Sequence, residues 1–279
     1  MIGQRTQGAF AGLALAVVTL ASGGVAGASS GSAVRLHSST QGERPLALPA
    51  RLSNRELRVP ILMYHRIHAA PPSSQRSLTV HPADFARQMK WVKQHGYRTI
   101  TQRELYDALF LGKGLGPKPI LITFDDGYSE VFHKALPVLK RLGMCATAYV
   151  ISGRTLRSDT VFLTWHLLRA LERDGVEIGS HTVEHRNLTS LSDGEALREL
   201  VRSRRTFERR LGHPVPWLAY PFGAYDSRIE RLARRAGYLL AVTTEHGVVH
   251  SARRPLALRR LRILDSTGVA GLAAMLGNR

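Results

Sequence analysis

From residue 59 onward, apolar runs of four to seven residues alternate with longer segments whose apolar positions recur every three or four residues. The runs are VPILMY, YRTI, PILITF, ATAYVI, VEIGS, WLAY and YLLAVTT. Their length and their Gly, Pro and polar boundaries predict strands, and the periodic segments between them predict amphipathic helices. Thr101-x-x-Glu104, Ser192-x-x-Glu195 and Ser227-x-x-Glu230 predict capping boxes at three helix starts, and Gly96, Gly143, Gly175, Gly212 and Gly237 fall where helices should stop. PPSSQRS (71–77) and GRTLRSDT (153–160) predict surface loops. Repeated strand-helix order with short connections implies a parallel sheet, and seven or eight such units favour a closed or nearly closed (β/α) barrel. Reactive groups then belong at the carboxyl ends of strands.

The chain before residue 59 follows a different pattern. Arg5 precedes an apolar, uncharged run over 9–21, followed by small residues and an Ala26-Gly27-Ala28 cleavage signal. This predicts a signal peptide or amino-terminal anchor over 1–28, a Ser, Gly, Arg and Pro-rich linker over 29–58, and a catalytic domain over 59–279. The apolar run is short for a membrane span, so export to the cell exterior, periplasm or envelope is the expectation. Cys145 is the only cysteine of the 279 residues, which excludes an internal disulfide and leaves a free structural thiol.

Charge changes the picture further. The formal net charge is +18, and removing residues 1–28, whose one charge is Arg5, leaves +17. The basic residues concentrate in RELVRSRRTFERRLG and ARRPLALRRLR. They read as solvated basic faces or as a surface attracted to an anionic cell envelope. Nucleic acid is not an expected partner, because the basic segments lack interleaved aromatics and no binding module is recognisable.

Chemistry enters at ILITFDDGY (120–128), where Asp125 and Asp126 follow a strand that is apolar but for Thr123. Adjacent carboxylates repel, so a cation or a proton is needed to hold them together at a strand end. After VEIGS comes His181-Thr-Val-Glu-His185, an i, i+4 pair that a helical turn would place on one face, ready to hold one divalent ion. Two histidines and one carboxylate leave coordination positions open for water and substrate, and the second carboxylate free for proton transfer. In WLAYPFGAYD (217–226), the Pro221-Phe222-Gly223 turn could direct backbone N–H groups at a developing oxyanion.

TFDDGY, SHTVEH and YPFG, in that order, resemble the motifs of the polysaccharide deacetylase family, carbohydrate esterase family four with its NodB homology domain. The likeness extends over 59–263 and takes in PILMYHRI, ALPVLKRLGMCATAYVI, LTWHLLRAL and GYLLAVTTEHG. It implies a distorted (β/α)7-8 barrel that removes N-acetyl groups from a glycan polymer. Asp125 would be the general base, Asp126, His181 and His185 the ligands of a divalent ion, zinc, and the Phe222 backbone amide an oxyanion donor. The chain departs from the better-known branch at Ala219, where that branch has Arg, and in lacking a recognisable Leu-x-His segment for the general acid. AYPFG, MYHRI and LRRLRI are instead similar to the branch of exported poly-N-acetylglucosamine deacetylases. In that comparison Arg260 falls on the Arg of the closing strand and His65 stands at the end of the first, and either could supply a missing catalytic function. A peptidoglycan or chitooligosaccharide deacetylase would share this core, as would an enzyme cleaving a non-sugar amide. A non-catalytic envelope carbohydrate-binding protein should have lost the base or a ligand, whereas Asp125, Asp126, His181 and His185 are all present.

Overall fold

The computed structural model describes residues 46–49, 53–71, 73–155 and 160–277. Among these, seven parallel strands close into a barrel in chain order: β1 (Ile61–Tyr64), β2 (Pro119–Phe124), β3 (Ala146–Val150), β4 (Val176–Ser180), β5 (Trp217–Ala219), β6 (Leu240–His246) and β7 (Leu258–Arg262), with β7 pairing back onto β1. β1, β2 and β3 are apolar almost throughout because both of their faces are covered, whereas β7 carries three arginines, two of them exposed. Leu62, Ile122, Ala148, Ile178 and Leu261 pack with Phe85, Met89 and Val92 of helix Pro82–Gln94 and with Leu168 and Leu171 of helix Trp165–Arg173. Ile61, Leu121, Tyr149, Trp217, Val242 and Leu258 form the inner core. Helix Gln102–Leu111 adds Leu105, Tyr106 and Leu109 to that inner core. Its first amides, Gln102 N–H and Arg103 N–H, donate to the Glu177 carboxylate at 2.6 and 3.3 Å, which ties the helix start to β4.

Several sequence expectations change on folding. YRTI yields only the short strand Arg98–Thr99, which pairs with the start of β2 outside the ring. No helix joins β6 to β7; the strand Val249–Ser251 lies there instead and pairs antiparallel with Glu56–Arg58. That pairing, and the packing of Leu46, Leu48 and Leu57 on the inner core, make 46–49 and 53–58 part of the folded body where a linker was expected. The export segment over 1–28 lies outside the described residues.

The boxes at Thr101 and Ser192 form. The third does not, because the Asp226 carboxylate accepts from Ile229 N–H at 2.8 Å and Ser227 becomes the first helical residue. A charged oxygen at the helix start satisfies the orphan donors and complements the dipole, so it outcompetes the neighbouring hydroxyl. The loop expected over 71–77 overlaps the 3-10 helix Ser73–Leu78, and the one expected over 153–160 overlaps the helical turn Ser152–Thr155. Residues 156–159 lie outside the described residues. Cys145 is free, and burial pushes its thiol up to about 11, which keeps it protonated at neutral pH. No described helix is long and apolar enough to cross a membrane.

Candidate active site

Asp125 and Asp126 leave the carboxyl end of β2, and His181 and His185 follow β4. Phe222 follows β5, His65 follows β1, and Arg260 belongs to β7. The ring therefore brings every expected site residue to one barrel mouth.

Asp125 is 2% exposed and Arg260 1%. Their pairing is bidentate, with Nη1 to Oδ1 at 2.8 Å and Nη2 to Oδ2 at 2.7 Å. Two more bonds hold the guanidinium in place: Nε donates to the Thr243 carbonyl at 2.8 Å and Nη1 to Thr123 Oγ1 at 3.2 Å. Burial alone would raise the Asp125 pKa, but the charge and hydrogen bonds of Arg260 more than offset it and hold the carboxyl well below the usual range. His65 Nε2 stands 4.0 Å from Asp125 Oδ2, and its Nδ1 is buried without a partner among the described residues. Burial, partly offset by Asp125 and Asp126, keeps that imidazole below its ordinary pKa.

Asp126 points the other way. Its Oδ1 lies 3.5 Å from both His181 Nε2 and His185 Nε2, and the two nitrogens are 3.1 Å apart. Two ligands of a tetrahedral ion with bonds of about 2.1 Å stand roughly 3.4 Å apart, so this triangle fits one zinc-sized ion. The donor chemistry agrees. The His181 Nδ1–H donates to the Ala219 carbonyl at 2.8 Å, which leaves the Nε2 lone pair free for a metal. Burial and the His181 ring push His185 down to about 4, keeping it neutral as a ligand must be, and burial raises Asp126. A cation at the centre would relieve that burial cost.

One sequence expectation fails here. Residues 181–185 form no helical turn: Thr182 and His185 adopt φ of 65° and 58°, and this left-handed backbone turns both imidazoles inward. Asp126 and Phe222, with φ of 71° and 60°, share that rare conformation. Four such residues at one mouth, each costing on the order of 1 kcal/mol or more, mark a backbone held for chemistry by its surroundings. At Phe222 the strained turn leaves the residue 64% exposed, with its ring centroid 4.6 Å from that of His185.

Gly127 completes the aspartate turn at φ 80°, and a Cβ there would stand 2.6 Å from Val150 Cγ1. Gly127→Ala should therefore lower stability by about 2–4 kcal/mol, adding left-handed strain to overpacking. Urea denaturation tests this, and a loss below about 1 kcal/mol would mean that the turn relaxes freely.

Sequence reasoning missed the supports of these groups. The Ala219 carbonyl aims His181, and Thr123 and Thr243 hold Arg260. The available signal was a threonine inside an otherwise apolar strand, as in PILITF.

Comparison with known proteins matches residues 112–241 to the sequence model of the polysaccharide deacetylase family. YxkH of Bacillus subtilis, named for the same family, is 35% identical over 216 residues, covering 77% of this chain and 74% of YxkH. A poly-beta-1,6-N-acetyl-D-glucosamine N-deacetylase of Staphylococcus aureus is 24% identical over 241 residues, covering 78% of this chain and 82% of the relative. Among solved structures, the Streptococcus pyogenes deacetylase PplD in complex with acetate superposes with a TM-score of 0.75 at 31% identity, covering 80% of this chain and 99% of PplD.

Proposed function

This chain belongs to the polysaccharide deacetylase family, and from that premise we propose that it is an exported, zinc-dependent hydrolase that removes N-acetyl groups from a poly-N-acetylglucosamine. One observation carries the reading: a buried carboxylate, Asp125, held by a bidentate pair with Arg260, stands beside the three-ligand set of Asp126, His181 and His185 without belonging to it. The Staphylococcus aureus relative supports the choice of glycan. The amino-terminal segment supports export, and the exposed Arg202, Arg205 and Arg209 of helix Asp193–Leu211 support attraction to an anionic envelope.

Asp126, His181 and His185 would hold the ion, which when bound polarises the acetamide carbonyl and activates water. Asp125 takes the proton from the attacking water, being ionised and free of ligand duty. The Phe222 amide donates to the oxygen on which negative charge develops. His65, 4.0 Å from Asp125, would relay to the departing amine the proton that Asp125 takes from water. Acetate leaves, and the sugar retains a free amine.

The test is acetate release from a panel of acetylated glycans, with and without a chelator. Beta-1,6-linked N-acetylglucosamine oligomers should yield acetate at a rate that falls to background on chelation and returns with zinc. Equal turnover in chelator would remove the metal from the reading. A preference for peptidoglycan or chitooligosaccharides would move the substrate to the alternative that shares this core.

A further inference from the structure

The ligand loop 181–185 is clamped from outside the barrel. Glu199, on helix Asp193–Leu211 and only 8% exposed, places Oε2 at 2.9 Å from Val183 N–H and at 2.9 Å from Glu184 N–H. Those are consecutive amides lying between His181 and His185. One helical turn later on the same face, Ser203 Oγ donates to the Thr182 carbonyl at 3.0 Å, and Ser152 N–H reaches that same oxygen at 3.0 Å. Gly153 N–H donates to the Val183 carbonyl at 3.0 Å. The Thr182 side chain closes the loop internally by accepting from His185 N–H at 3.1 Å.

We infer that Glu199 is a positioning residue for the metal centre, holding the His181–His185 loop in its ligating shape before any ion arrives. The physical reason is the backbone. Thr182 and His185 sit at φ 65° and 58°, which non-glycine residues rarely adopt, so the loop left to itself would relax and separate the two imidazoles. A carboxylate accepting from two successive amides makes charge-assisted bonds, about twice as strong as neutral ones, and it fixes the peptide planes on either side of Val183. Its carrier, a helix of 19 residues anchored in the core by Ala196, Leu200 and Phe207, is a rigid support. Groups that orient metal ligands typically alter affinity by 10- to 100-fold when removed.

The inference rests on the metal reading above, and its test is kept separate from catalysis. Zinc affinity is measured by competition with a chromophoric chelator, without substrate, in the wild type and in Glu199→Ala and Glu199→Gln. Glu199→Ala should bind zinc on the order of 10- to 100-fold more weakly. Glu199→Gln retains an acceptor oxygen and should recover most of the affinity. Zinc affinity within about twofold of wild type in folded Glu199→Ala would overturn the inference, as would a Gln variant as weak as the Ala variant, since a merely structural role does not distinguish them. If the Ala variant does not fold, amide hydrogen exchange in the metal-free wild type decides. The Val183 and Glu184 amides should then exchange as slowly as those of β4, and exchange at the rate of unprotected amides would refute preorganisation. Failure of the wild type itself to bind zinc would instead refute the metal reading.

Discussion

Asp125→Asn is expected to lower kcat on the order of 10²- to 10⁴-fold while zinc affinity stays close to wild type, because the substitution removes the proton acceptor and none of the three ligands. Asparagine keeps the shape of the side chain, but its amide group presents donors to the Arg260 guanidinium, which is all donor. One of the two short bonds, at 2.8 and 2.7 Å, is therefore lost, and the melting temperature should fall as well. Circular dichroism and zinc competition on the same preparation separate that loss from the loss of turnover. A variant within tenfold of wild-type kcat would mean that the water loses its proton to another group. The wild-type pH profile offers a second check with a definite sign. A general base acts when deprotonated, and Asp125 is held well below the usual carboxylate range, so it stays ionised throughout the neutral region. Any fall in rate on mild acidification must therefore come from a group other than Asp125.

Much of this site was legible in the sequence for a specific physical reason. A strand apolar but for one threonine must be buried, and two aspartates at its end must then stand at a barrel mouth. The donor types in HTVEH were equally legible. The shape of their loop was not, because left-handed φ at Thr182 and His185 is imposed by contacts from Glu199, Ser203 and Ser152, which are remote in sequence. Arg260 was named only through the family resemblance, since LRRLR looks like a basic surface segment. Strand alternation separates buried Arg260 from its exposed neighbour Arg259, while Arg262, on the same face as Arg260, is exposed at the strand end. Residues 46–58 were read as a linker because their few leucines carry no long period, yet Leu46, Leu48 and Leu57 are enough to dock on the inner core.

Replacing Arg260 should do the most damage to stability. Its guanidinium, buried between Asp125, Thr123 and Thr243, is the only cation bonded to Asp125 among the described residues. Arg260→Ala leaves a buried carboxylate uncompensated, a change that typically costs about 3–5 kcal/mol. Burial is then unopposed by Arg260, so the Asp125 pKa must rise, and the rate should begin to fall with acidification at a higher pH than in the wild type. Arg260→Lys separates the two roles of the residue. It keeps a positive charge near Asp125, so the acid limb should move less than in the Ala variant. It loses the planar fork that fixes both carboxylate oxygens, so kcat/KM should still fall, on the order of 10- to 100-fold, through misplacement of the base. The measurements are urea denaturation and pH-dependent kcat/KM for both variants. A folded Arg260→Ala protein with wild-type kcat/KM and an unmoved acid limb would show that the pair serves only the barrel, and that the base is held by something other than this guanidinium.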